Sequence, residues 1–412
     1  MADAREVAHL VEEAHRRHWA TVLAATVRLT RDLDLAEDCT QDAYVQALRA
    51  WPDRVPDNPA AWLTTVARRV ALDRLRREQT LLRKLPLLQV EADPRTAMPD
   101  AGNDVDVPAD PLRLVFTCCH PALGRDAQLA LTLRLMCGLT TVEIGRVLLV
   151  KETAVAARIT RAKHKIAAAG VPFRLPRDDD LPDRLDTVLT ILHLAYTAGH
   201  SAVGSDLIRP DLTGRAVDLA RLLARQLPDE PEVAGLLALL LFAEARGPTR
   251  LGESGELVLL ADQDRSRWDR RLVHEGLALA AGALDRGGGR FALQAAIAGL
   301  HMSSPSWEAT DWRQVMRMYD ALLTRWPSPV VELNRLAAAS LVAGADLPDV
   351  LAQLDKLTIE PALATYPYLP ATRADVLARL GRNTEARAAY DEALTWTDND
   401  AERRFLLARR DL

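Results

Sequence analysis

Apolar positions recur at three- and four-residue steps through most of the chain, and runs that alternate with a period of two are scarce. This pattern predicts an all-α protein. From Val7 to about Glu78 the helical period is nearly continuous, with interruptions at Trp51-Pro52 and across Val55-Pro56-Asp57-Asn58-Pro59, where the prolines mark a loop between helices. From about Thr80 to Asp110 the period fades. Pro86, Pro94, Pro99 and Pro108 stand there among many aspartates, which predicts a flexible acidic linker. A compact helical unit follows from Pro111 to about Ala169, closed by Gly170 and a proline-rich stretch. The expected organisation is a helical domain over 1–80, a linker over 81–110, a second helical domain over 111–170 and a long helical region over 180–412.

Within that last region, helices alternate with short turns at Arg246-Gly247-Pro248, Gly287-Gly288-Gly289, Ser303-Ser304-Pro305 and Pro327-Ser328-Pro329. Near its end Gly381, Ala386, Tyr390 and Ala393 fall in the second-helix pattern of a tetratricopeptide repeat. The signal covers about one repeat, so the reading is helical-repeat-like, with plain helix-pair packing an equal alternative.

Composition narrows the function. With 412 residues the chain can bury several cores, and it needs neither disulfides nor metal to fold. Four cysteines, Cys39, Cys118, Cys119 and Cys137, are too few and too irregular for a secreted disulfide framework, which points to a reducing cytoplasm. The opening residues read as no signal peptide, and the longest apolar run, Leu236 to Ala243, is far short of the roughly 20 residues that span a bilayer. No membrane partner and no cofactor are expected. The formal net charge of -5 argues against nucleic acid at first, yet Leu131 to Ala168 holds seven Lys/Arg against two Glu.

That basic stretch carries the strongest local signal. Thr140 or Thr141 can cap a short helix with Glu143 in its first turn, and Val142, Ile144 and Val147 supply its buried side. After a break at Leu149 to Lys151, a second helix turns Val155, Ile159 and Ala162 inward and Arg158, Arg161, Lys163 and Lys165 outward. This is the spacing of a helix-turn-helix whose second helix can enter a major groove. A second signal lies in Ala61 to Glu78. Trp62, Val66, Val70 and Leu75 share one face while Arg68, Arg69, Arg74, Arg76 and Arg77 crowd the rest, which suits strand-separated DNA. For Trp62 itself a core anchor is the favoured reading, while the arginine cluster carries the DNA-binding one.

With these motifs in order, the first 170 residues or so resemble the extracytoplasmic-function (ECF) sigma factors, which direct RNA polymerase to promoters. The stretch Asp34 to Trp51 resembles their clamp-gripping helix, Trp62 to Arg77 their minus-10 reading segment, and Leu131 to Ile166 their minus-35 reading domain. The resemblance implies two small sigma domains, core RNA polymerase and promoter DNA as partners, and no enzymatic activity. By it, Asp38, Gln41 and Asp42 would contact core polymerase. Ala156, Ala157, Thr160 and Arg161 would face base edges, with Arg158, Lys163, Lys151 and Thr153 among the remaining DNA contacts.

Two departures from the family stand out: Arg69, where Asn is usual, and Ala156 with Ala157, where basic or hydroxyl residues are common. Small apolar side chains touch a thymine methyl but make no bidentate bond to guanine. Residues 180–412 resemble the helical extension of one ECF subgroup, where it is thought to control activity. That extension would take an intramolecular or a peptide partner.

Cys118-Cys119-His120 has poor geometry for one tetrahedral ion, and burial is the preferred reading. Asp262 to Arg270 gathers charge around Trp268. A peptide or ligand pocket competes there with a helix-capping turn, and the turn is favoured. The competing functional class is a one-component helix-turn-helix regulator with a ligand- or peptide-sensing helical domain.

Overall fold

A computed structural model describes residues 4–84, 111–148, 150–176, 179–200, 210–252, 258–397 and 399–411. Among them the ordered structure is α-helix, with three short 3-10 turns and an isolated bridge at Leu251. The chain divides into two compact units, 1–195 and 196–412. Most of the expected acidic linker lies outside the described residues.

The first unit opens with three mutually packed helices, α1 (Ala4–Thr30), α2 (Leu33–Ala50) and α3 (Pro59–Lys84). The single long period of the sequence is thus cut twice. The first cut is at Arg31, which takes a left-handed φ of 54°, followed by Asp32, whose carboxylate caps α2 through the Leu35 amide at 2.8 Å. The second is the proline loop, where Asn58 caps α3 through the Ala61 amide at 3.0 Å and Pro59 occupies the first turn. The helical period carries α3 on to Lys84, so the first residues assigned to the linker are helical. The core of the trio is Val22, Leu23, Ala36, Ala43, Ala47, Leu63, Ala67 and Ala71, mostly small residues that let the helices approach closely.

Four shorter helices follow: α4 (Pro111–Cys118), α5 (Arg125–Leu135), α6 (Thr141–Leu148) and α7 (Glu152–Ala168). Their core is apolar and dense, with Leu112, Phe116, Leu131, Leu133 and Leu139 fully buried. Gly170, at φ 57°, ends α7 as expected of a glycine cap. Cys118 and Cys119 are buried here. Burial pushes the Cys119 thiol up to about 12, so it behaves as a packed apolar group.

Helix α8 (Leu181–His200) spans the division between the units, and in the first unit Arg184 donates to the Phe116 carbonyl at 2.6 Å. The second unit continues through α9 (Pro210–Gln226), α10 (Pro231–Ala245), α11 (Arg270–Asp285), α12 (Arg290–Ser303), α13 (Trp312–Arg325), α14 (Pro329–Leu341), α15 (Leu347–Leu357), α16 (Tyr368–Arg379), α17 (Asn383–Thr395) and α18 (Asp400–Arg410). Each helix packs chiefly on its neighbours in the chain, and every predicted turn falls between helices.

Two close approaches fix this stack. A Cβ at Gly235 of α10 would fall 2.4 Å from the Ala292 nitrogen, and the Glu232 carboxylate accepts from the Gly289, Phe291 and Ala292 amides that open α12. At the far end α16 and α17 form a helix pair around Ala386, Tyr390 and Ala393, all buried, with Gly381 at φ 76° in the turn.

Candidate nucleic-acid interface

Helix α6 starts with a reciprocal cap. The Glu143 amide donates to the Thr140 hydroxyl at 3.2 Å, and the Glu143 carboxylate accepts from the Thr140 amide at 2.7 Å. One turn on, a Cβ at Gly145 would stand 2.8 Å from the Val150 carbonyl, so a glycine there lets the chain enter α7 tightly. Ile144 is buried as expected, but Val142 is 40% exposed, because the cap turns it to the outer side of the first turn.

In α7, Val155, Ile159, Ala162 and Ile166 face the core. Lys151, Thr153, Ala157, Thr160 and Arg161 are exposed, and Ala156 is half-buried beside them. Arg158 is not free in solvent: its guanidinium lies 3.4 Å from Asp126 on α5.

Lys163 departs from the outward placement. It is 9% exposed, and its ammonium sits 2.7 Å from both Asp34 and Glu37 of α2. Burial alone would pull its pKa down, but the Glu37 charge and the hydrogen bonds to Asp34 and Glu37 outweigh that and hold it above the usual lysine value. Glu37 is 4% exposed and also pairs with Arg134 of α5. A second tie crosses the same contact, from the Trp19 indole of α1 to the Leu135 carbonyl at 3.0 Å.

On α2, Asp38 and Asp42 both reach Arg74 of α3, at 3.4 and 2.6 Å, and both remain partly exposed. Gln41 lies on the same helix, with its amide 3.4 Å from Glu37. The arginines of α3 therefore do not act as one group. Arg74 is an inter-helix tie, Arg69 reaches Gln46 at 3.3 Å, Arg76 stands 4.0 Å from Asp73, Arg68 is half-buried, and Arg77 is exposed.

The core face of α3 is Leu63, Val66, Ala67 and Ala71, about one position round from the face expected. Trp62, Val70 and Leu75 flank it, half-buried. Trp62 packs edge-on against the buried Trp51, ring centres 5.8 Å apart, which makes it a partial core anchor with one accessible side.

Asp34, Glu37, Arg134 and Trp19 are the functional neighbours that sequence reasoning missed. A signal for Lys163 did exist: positions 155, 159, 162, 163 and 166 form a single stripe on a 3.6-residue helix.

Residues 14–80 match the model of sigma-70 region 2, and residues 113–166 match that of sigma-70 region 4. Residues 184–284 match a family of unknown function, DUF6596. The chain is 40% identical over 394 residues to the uncharacterized protein R00370 of Rhizobium meliloti (strain 1021), covering 94% of this chain and 92% of that protein. It is 30% identical over 210 residues to the ECF RNA polymerase sigma factor SigJ of Mycobacterium tuberculosis, covering 49% of this chain and 62% of SigJ. It is 32% identical over 128 residues to the ECF RNA polymerase sigma factor SigK of Mycobacterium bovis, covering 30% of this chain and 66% of SigK. No solved structure matches the chain.

Proposed function

The chain is a sigma-70-family sigma factor of the ECF type with an additional C-terminal helical domain, in one family with the Rhizobium meliloti protein over nearly its whole length, and from that premise we propose a residue-level account of how it recognises promoters and how that recognition is held in check. The family is non-catalytic, and no helix among the described residues is long and apolar enough to cross a membrane.

In this account α7 enters the minus-35 major groove with Ala156, Ala157, Thr160 and Arg161 toward base edges and Lys151, Thr153 and Arg158 toward phosphates. The exposed row on a capped, glycine-tightened helix-turn-helix supports it. Arg68, Arg69, Arg76 and Arg77 of α3 take the phosphates of the melted minus-10 strand, with the open side of Trp62 available for base stacking. The partly exposed Asp38 and Asp42, with Gln41, present the acidic side of α2 to core polymerase.

The observation that carries the account furthest is the buried Lys163–Glu37 pair. It fastens the DNA-reading helix of region 4 to the polymerase-facing helix of region 2, so the arrangement described is a resting one. Engagement of both promoter elements requires α7 to leave α2, and Lys163 is then freed for phosphate.

The test is duplex binding by the full-length chain, alone and with core polymerase. Binding that tightens at least about tenfold with core supports the account. Equal binding without core favours a one-component regulator.

The C-terminal domain regulates this step in our reading, through an intramolecular or a peptide partner. A truncated chain that ends at His200 tests this more cleanly than one ending near Arg174, because it keeps Arg184 on the Phe116 carbonyl. More transcript from the short chain than from the full one means inhibition, and none means a required scaffold.

A further inference from the structure

The charged segment around Trp268 leads beyond promoter recognition. Much of it is structural: Asp264 caps the 3-10 turn Arg265–Arg267, Asp269 caps α11, and the Trp268 indole donates to the Thr249 hydroxyl at 3.0 Å inside the core. Two guanidiniums are left over from this scheme.

Arg246, at the end of α10, is fixed by one hydrogen bond, from Nε to the buried Gln263 at 3.1 Å. Gln263 is itself held by the Val258 carbonyl at 3.0 Å. Arg265 stacks 4.7 Å over the Trp268 ring and donates Nη1 to the carbonyls of His301 and Ser304, while its buried Nη2 has no partner. The neighbouring His301 Nδ1 is also buried and unpartnered.

Among the described residues, neither Arg246 nor Arg265 forms an ion pair with a carboxylate. Arg265 feels the charge of Glu308, which is exposed. Glu244 is engaged with the Tyr196 phenol, and Glu402 lies in the field of Arg250. Tyr196 itself is held neutral by burial and Glu244.

Accordingly burial, with Arg250 and Arg265 nearby, pushes Arg246 down to about 10. Burial with Arg246 and Arg265 likewise pushes His301 down to about 4. Clustering partly desolvated cations is costly, and rigidly held donors without acceptors add to that cost. Beside them the His301 ring lies parallel to Trp307, centres 5.8 Å apart, with Trp312 at 5.2 Å, and both indoles are half-exposed.

We propose that the C-terminal domain binds a small organic oxyanion, with its phosphate or carboxylate between Arg246 and Arg265 beside His301 and its apolar body against Trp307 and Trp312. Fixed guanidinium forks suit planar oxyanions, and the aromatic wall gives the ligand a flat seat. The site is independent of polymerase and of DNA, so its test is separate from that of promoter recognition.

Calorimetric titration of the full-length protein with phenyl phosphate and with benzoate, at constant ionic strength, tests it. Saturable one-to-one binding of either probe is expected, and the stronger one identifies the anion class. Arg246→Gln should weaken it roughly tenfold or more, whereas Arg313→Gln, an exposed arginine of α13, leaves it unchanged. A parallel NMR titration of the unsubstituted protein, labelled at histidine, should show the His301 resonance moving with the bound fraction; this readout stands even if Arg246→Gln fails to fold. Absence of saturable binding by both probes overturns the proposal, as does binding that leaves His301 unmoved or that a folded Arg246→Gln variant retains in full.

Discussion

The Lys163 ammonium lies 2.7 Å from the Glu37 carboxylate, and both side chains are nearly closed to solvent. One belongs to the helix that would read DNA and the other to the helix that would face polymerase. Glu37 also neutralises Arg134, so a single carboxylate holds two cations at this contact. Breaking a buried pair by removing one partner costs about 3–5 kcal/mol.

Glu37→Gln leaves Arg134 without this anion and Lys163 with the exposed Asp34 alone, and should release α7 from α2. The expected result is tighter binding of duplex DNA by the free full-length protein, by about tenfold for each 1.4 kcal/mol removed from the contact. Hydrogen exchange of α7 amides should speed up in parallel. Unchanged affinity and exchange would mean that the contact does not restrain the helix.

Arg161 is exposed on α7, and among the described residues no ion pair ties it to the fold, so Arg161→Ala should leave the urea midpoint in place. It should weaken specific promoter binding by about 1–3 kcal/mol and relax preference at one base pair. Arg77→Ala on α3 should instead weaken binding evenly across sequences and lower the salt slope by about one. Filter binding at several salt concentrations separates the two.

Gly145→Ala places a methyl 2.8 Å from the Val150 carbonyl, where backbone rather than a movable side chain stands in the way. The helix-turn-helix must open, at a cost of about 1–3 kcal/mol by analogy with overpacked cores. Urea denaturation should show a lower midpoint, and promoter binding should fall with it.

His301 gives a pH signature. Its pKa is lowered from 6.5 to about 4 by burial and then by Arg246 and Arg265, so the unfolded chain binds more protons than the folded one between those values. Stability of the second unit is therefore fully present above about pH 6.5 and declines as pH falls toward 4, by on the order of 3 kcal/mol. His301→Gln should flatten that decline. Thermal melts between pH 4.5 and 7.5 read the difference, and equal slopes would contradict it.

The helices and their turns were legible because apolar periodicity and proline or glycine punctuation are local. The cap at Thr140, the inward face of Val155, Ile159 and Ala162, and the turn at Gly287 all follow from neighbours in sequence. The break at Arg31 was not legible, since an arginine in the left-handed region carries no compositional mark.

Nor was the partner of Lys163. Its position on the helix stripe announces burial, but the carboxylate that makes burial tolerable comes from 126 residues away. The α3 arginines looked like one cluster for the same reason: only tertiary packing assigns Arg74 to Asp38 and Asp42 and leaves Arg77 exposed. In the charged turn at Trp268, capping was readable from spacing, whereas the unpartnered Arg265 Nη2 and His301 Nδ1 became visible only once that turn stood against α12.

The account rests most directly on initiation by core polymerase. Run-off transcription on genomic fragments, with purified core RNA polymerase and the full-length chain, should yield transcripts that depend on the chain and disappear when Asp38 and Asp42 are both changed to lysine. Duplex DNA binding by the chain alone, with no chain-dependent transcript on any fragment, would contradict the account.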